Sequence, residues 1–93
     1  MSQGKIKVPH HVAELIRSMH PQLKKKIRAA LEIIRNNPES GKALRIELKG
    51  LMTFRVSNFR IVYRIGSRGI IELIAIGPRK TIYEETFRLI TKE

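Results

Sequence analysis

The chain has 93 residues, which makes one domain with a modest core. A hydrophobic content of 42% argues against disorder, the absence of cysteine excludes a disulfide framework and any thiolate metal site, and no apolar run reaches the length of a membrane span. Nineteen Lys+Arg against eight Asp+Glu give a net charge of +11, which points to a phosphate polymer or an acidic protein as partner.

Residues 5–8 read as a short strand ended by Pro9. The first eight residues lack the apolar segment of a signal peptide, so a cytoplasmic protein is expected. Val12, Leu15, Ile16 and Met19 recur at helical spacing, which predicts a helix over about residues 11–19. Pro21 is well placed to open a second helix. That helix carries Leu23, Ile27, Ala30, Leu31 and Ile34 on one face and ends at Asn36-Asn37-Pro38. The two form an amphipathic pair that must cover something flat.

The flat object follows. Residues 42–48 read as a strand, residues 51–57 as another, Ser57-Asn58 as a tight turn and residues 59–65 as the returning strand. With a two-residue turn, Val56 opposes Phe59, Arg55 opposes Arg60 and Phe54 opposes Ile61. Side chains alternate across a strand. One face then carries Met52, Phe54, Val56, Phe59, Ile61, Tyr63 and Ile65, a core face. The other carries Thr53, Arg55, Arg60, Val62 and Arg64, and is expected to be left for solvent or ligand. After the turn at residues 66–69, the run at 70–76 is nearly all apolar, which marks a strand buried on both faces. Gly77-Pro78 is expected to break it, and residues 81–91 read as a closing helix. The order predicts an α+β domain: an N-terminal strand, two helices packed on one face of a largely antiparallel sheet, and a short C-terminal helix.

The charge is concentrated. Residues 42–80 hold nine basic residues and two acidic ones, Glu47 and Glu72, or +7 of the +11. Arg55 and Arg60 sit directly opposite each other, which destabilises a sheet unless an anion is held between them. Arg79 and Lys80 follow the apolar strand, and Tyr83 falls on the first turn of the last helix, where the helix N-terminus favours anions. Arginine suits phosphate because its planar fork donates two parallel hydrogen bonds. Several arginines around one phosphate stabilise charge built up in phosphoryl transfer. A tyrosine there can orient the nucleophile, stack on a base or shuttle a proton; packing alone is the other reading of Tyr83. Lys24, Lys25 and Lys26 read as a solvated helix face, with added electrostatic attraction to RNA as the other reading. His10, His11 and His20 have no supporting Cys or Asp, so no metal or other cofactor is expected. Asp is absent altogether, which disfavours nuclease chemistry that depends on clustered carboxylates and Mg²⁺.

Three motifs carry a family resemblance: Leu48-Lys49-Gly50, Asn58-Phe59-Arg60-Ile61-Val62-Tyr63, and Ile76-Gly77-Pro78-Arg79-Lys80 followed by Tyr83. Together with the element order, they resemble the RelE/ParE superfamily of toxins from prokaryotic toxin–antitoxin systems, over essentially the whole chain. The resemblance implies a RelE-like fold, cleavage of mRNA in the ribosomal A site without a metal, contacts to rRNA, and neutralisation by an acidic cognate antitoxin. By position, Arg60 resembles the arginine that stabilises the scissile phosphate, Arg79 the one that supports the leaving group, and Tyr83 the tyrosine that orients substrate or assists proton transfer. Arg55 falls where such toxins place a basic residue on the hairpin. Lys49, Arg64, Lys80, Lys24 and Lys25 are the expected RNA contacts.

The chain departs from the pattern in two places. Some ribosome-dependent members carry two lysines on the first hairpin strand, where this chain has Thr53 and Arg55. Arginine stays protonated and is a poor general base. The usual histidine or lysine ahead of the Arg79 position is Pro78. Glu47 is a candidate base and equally a salt-bridging strand residue. Two other readings stay open: a ParE-like gyrase poison on the same fold, and an inactive RNA-binding relative.

Overall fold

The computed structural model describes residues 5–44, 48 and 50–91. Helix α1 (His10–Arg17) and helix α2 (Pro21–Asn36) follow the predicted amphipathic pattern, α1 starting and ending slightly earlier. Pro21 occupies the first turn of α2, and the preceding His20 accepts the Gln22 backbone N–H on Nδ1 at 3.2 Å. That bond satisfies a donor the helix itself cannot. Ile27, Ala30 and Ile34 are the buried residues of α2, on one stripe.

Among the described residues five strands form one sheet in the order β1-β5-β4-β3-β2. They are β1 (Ile6–Lys7), β2 (Lys42–Ala43), β3 (Met52–Val56), β4 (Phe59–Ile65) and β5 (Ile71–Pro78). Among the described strands β1 and β5 run parallel and the other neighbours are antiparallel. The strand expected over residues 42–48 is Lys42–Ala43, and residues 45–47 lie outside the described ones. Helix α3 (Ile82–Thr91) closes the chain. No helix among the described residues is long and apolar enough to cross a membrane.

The expected core face holds. Val56, Ile61 and Tyr63 pack with Val12, Ile27 and Ile34 of the two helices, and Met52, Phe54, Phe59 and Ile65 border the cluster. The opposite face is not left to solvent as the alternation suggested. Leu51, Val62, Ala75 and Ile82 form a second cluster there, joined by Tyr83, Leu89 and Ile90. Val62 and Ala75 are apolar positions on the arginine face, and α3 buries them.

Strand β5 also runs further than expected. It continues through Gly77 and Pro78, which pair with Arg60 and Phe59. Strand β1 matches β5 only at Ile71 and Glu72, so no described strand pairs with the outer edge near Pro78, where a missing N–H is tolerated. Between Val62 and Tyr63 the register jumps from Ala75 to Leu73, leaving Ile74 as a bulge. The His11 ring Nε2 sits 3.2 Å from the freed Ile74 carbonyl. The bulge turns both Leu73 and Ile76 toward the α1/α2 cluster and Ala75 toward α3.

Tyr63 pins the chain between α2 and β2. Its hydroxyl donates to the Pro38 carbonyl at 2.7 Å and accepts the Gly41 N–H at 3.0 Å. A side chain at residue 41 would collide with that hydroxyl and with the Thr53 carbonyl.

Candidate functional site

The β3–β4 hairpin turns at Ser57-Asn58, with Ser57 held at φ 54°. The register is the one the two-residue turn dictates, so Arg55 and Arg60 are cross-strand partners. On its other side Arg60 pairs with Gly77. One step beyond, the Arg79 N–H donates to the Asn58 carbonyl at 2.8 Å, which extends the pairing and holds Arg79 beside the turn. Three arginines from three segments therefore share one end of the sheet.

Their environments differ. Arg55 is exposed, and its Nε donates to the Ser57 carbonyl at 3.4 Å, a weak contact. Arg60 is half-buried, on the same face as Val62, and its Nε is covered with no hydrogen-bond partner among the described residues. Thr53 Oγ1, on that face too, is likewise buried without a partner among them. Arg79 and Lys80 are exposed at the start of the turn into α3. Tyr83 is half-buried on the first turn of α3 and borders the second cluster, so both its readings, packing and access to the arginine end, are compatible with its position.

Not every expected residue joins this group. Arg64 lies four residues further along β4, about 13 Å from Arg60 at strand rise. It is committed to Glu72 directly opposite: Nε and Nη2 both donate to Oε1, at 2.9 and 2.7 Å. Lys24 is half-buried and Lys25 exposed on α2. Lys49 and Glu47 lie outside the described residues. Two residues were not singled out from sequence. Lys26 Nζ donates to Ser57 Oγ at 3.3 Å, reaching the hairpin turn from α2. Glu85 of α3 lies over Gly77, its Oε1 3.0 Å from where a Cβ would stand. The first is hidden in a run of three lysines; the second carries no signal beyond that of an acidic residue near the start of a helix, where carboxylates are common.

Arg17, Arg35, Arg64 and Arg88 are paired with Glu14, Glu32, Glu72 and Glu84. Among the described residues, no carboxylate forms an ion pair with Lys26, Arg55, Arg60, Arg79 or Lys80. The hairpin end thus keeps its positive charge, as do Lys5, Lys7, Lys24, Lys25, Arg28, Lys42 and Arg68, which also form no ion pair among the described residues. An open groove of about 470 Å³ adjoins this end along the outer edge of β5, lined by His11, Leu15, Phe59, Gly77, Glu85 and Leu89 among others.

Residues 7–83 match the family model of the ParE toxin of the type II toxin–antitoxin system parDE. The chain belongs to the ParE toxin family. No individual curated protein matches it. Its fold is that of RelE toxins, as the RelE/ParE resemblance predicts. It superposes on a free-state double mutant of the E. coli toxin RelE with a TM-score of 0.74 at 17% identity, covering 98% of this chain and 97% of that one. The toxin–antitoxin complex RelBE2 of Mycobacterium tuberculosis gives 0.73 at 21% identity, with 85% and 94% covered. An archaeal RelE–RelB complex from Pyrococcus horikoshii OT3 gives 0.69 at 18%, with 84% and 97% covered. At these identities the structural likeness speaks for the α+β fold. The family match makes the chain a toxin of a type II toxin–antitoxin system, within the RelE/ParE superfamily.

Proposed function

We propose that this toxin is a ribosome-dependent endoribonuclease that cuts mRNA in the A site and so inhibits translation. The observation that carries the reading is the convergence of Arg55, Arg60 and Arg79 at one end of the sheet, with no carboxylate paired to them among the described residues. Three cations with planar donor forks suit a dianionic, pentacoordinate phosphate better than they suit any apolar ligand.

In this reading the RNA 2′-OH attacks the adjacent phosphorus. The new bond is 2′-O–P, the bond that breaks is P–O5′, the 2′ proton goes to a base and the 5′ oxygen collects a proton. Arg60 carries the charge on the phosphate, Arg79 supports the leaving oxygen, Arg55 adds to the field, and Tyr83 orients the substrate or moves a proton. Lys25 and Lys80, both exposed, add phosphate contacts, and Lys24 contributes from α2. The chemistry asks for no metal, in keeping with a sequence that has no Asp.

A cognate antitoxin is the other partner we propose, an acidic segment that folds on this cationic surface. The groove beside β5 and the exposed Leu15 and Phe87 offer apolar anchorage for it.

The second reading, a gyrase poison, is favoured by one observation: the matching family model is the ParE one. The test separates the two. Purified protein is added to ribosomes programmed with a defined mRNA, and ends are mapped by primer extension. Cuts at the A-site codon that vanish in Arg60→Ala support the interferase. Folded protein that leaves the mRNA intact but blocks gyrase supercoiling establishes the poison.

A further inference from the structure

The turn at Ser57-Asn58 gathers more cation than a turn needs. Lys26 reaches it from α2 and donates to Ser57 Oγ at 3.3 Å. Arg55 Nε lies 3.4 Å from the Ser57 carbonyl, and the Arg79 N–H donates to Asn58 at 2.8 Å. Fixing an exposed lysine against a neutral hydroxyl costs side-chain entropy that one solvent-accessible hydrogen bond does not recover. The contact therefore has little to do with stability.

Its chemistry points outward. The ammonium has three donors and spends one on Ser57. Ser57 Oγ accepts that bond, so its own O–H remains able to donate. Ser57 also holds a positive φ, 54°, where glycine or asparagine would be less strained. A hydroxyl at that position, beside a lysine with no ion-pair carboxylate among the described residues, makes a small anion cradle. Ser57 and Arg60 are three residues apart across the hairpin turn; Lys26 reaches the turn from α2, which covers one face of the sheet, while Arg60 lies on the other face with Val62, so the two cations stand at separate points of the hairpin end.

We propose that Lys26 and Ser57 at the hairpin tip form a second phosphate-binding point, which grips the RNA backbone at a phosphate other than the one facing Arg60. This rests on the RNA reading above and deepens it: Lys26 is a positioning residue that fixes the register of the strand, with no part in bond cleavage.

The test is the salt dependence of binding to a short RNA that is 2′-O-methylated throughout and so cannot be cut. Affinities are measured by fluorescence anisotropy across a salt series for the wild type, Lys26→Gln, Arg60→Gln and the double variant, with Lys7→Gln on β1 as control. Each phosphate that a protein cation neutralises on a single strand contributes about 0.7 to the steepness of log affinity against log salt, through the counterions it releases. Lys26→Gln and Arg60→Gln are each expected to lower it by about 0.7 and the double variant by about 1.4, with the control unchanged. A double variant no lower than Arg60→Gln alone means one shared phosphate and overturns the proposal. So does a Lys26→Gln slope equal to the wild type. Loss of A-site cutting by wild-type protein would remove the interferase reading alone, since this assay involves no cleavage.

Discussion

Arg60 and Gly77 are partners across β4 and β5, and the space a side chain would take at Gly77 is filled by α3. A Cβ there would lie 3.0 Å from Ile82 Cδ1 and 3.0 Å from Glu85 Oε1. The carboxylate can swing away. Ile82 is fully buried, so its Cδ1 has to give by a few tenths of an ångström inside a packed cluster. Gly77→Ala is therefore expected to cost about 1–3 kcal/mol, the range for overpacking a formed core. Urea unfolding followed by circular dichroism measures it. A variant as stable as the wild type would show that α3 rests on the sheet more loosely than the geometry states.

The opposed Arg55 and Arg60 make a prediction of opposite sign. Like charges directly across a strand pair are destabilising, by roughly 0.2–1 kcal/mol. Arg55→Thr is expected to raise the thermal midpoint of the free protein at low salt, and the gain should shrink as salt screens the pair. In the presence of a 2′-O-methyl RNA the order should reverse, because the wild type gains more from the polyanion. A drop in midpoint for the free Arg55→Thr protein would mean that the arginine stem packs more than its charge repels.

Arg64 is expected to behave as a structural cation. Its side chain is 52% exposed and that of Glu72 32%, so the pair is screened, and its loss should cost no more than about 1 kcal/mol. Arg64→Gln should leave the salt slope of RNA binding unchanged, since the residue is already satisfied by Glu72. A slope lowered by about 0.7, as for a residue that neutralises a phosphate, would return Arg64 to the RNA surface.

What the sequence carried and what it hid divide along the range of the interactions. The helices show in the spacing of Val12, Ile27, Ala30 and Ile34, which is local. The Arg55–Arg60 opposition also follows from local terms, a two-residue turn and a period of two. Gly77-Pro78 has the chemistry of a strand break, yet the strand persists because Phe59 and Arg60, far off in sequence, supply its partners. Residues 70–76 are apolar except for Glu72, so alternation cannot locate a bulge at Ile74. The docking of α3 depends on Val62 and Ala75 facing the arginine side together, which only the sheet register brings about. Likewise, three consecutive lysines differ in periodicity by nothing that would select Lys26; its distance to Ser57 does.

Tyr63 supplies a pH-dependent prediction. Burial pushes its phenol above the ordinary 10.0, and nearby Glu39 adds to the rise, while the Gly41 N–H and Ser40 act to lower it. The neutral phenol is thus favoured in the folded protein, and the unfolded chain ionises first. Stability from this group is intact below about pH 10 and is lost as pH rises through the higher folded value. Tyr63→Phe removes the titration together with both hydrogen bonds, leaving the Pro38 carbonyl and the Gly41 N–H without their partner. The expected cost at neutral pH is about 1–3 kcal/mol. Its stability should also fall less steeply than that of the wild type between pH 9 and about pH 11. Urea titrations across that interval decide it: parallel alkaline limbs for the two proteins would mean that Tyr63 is not the residue whose ionisation loosens the fold.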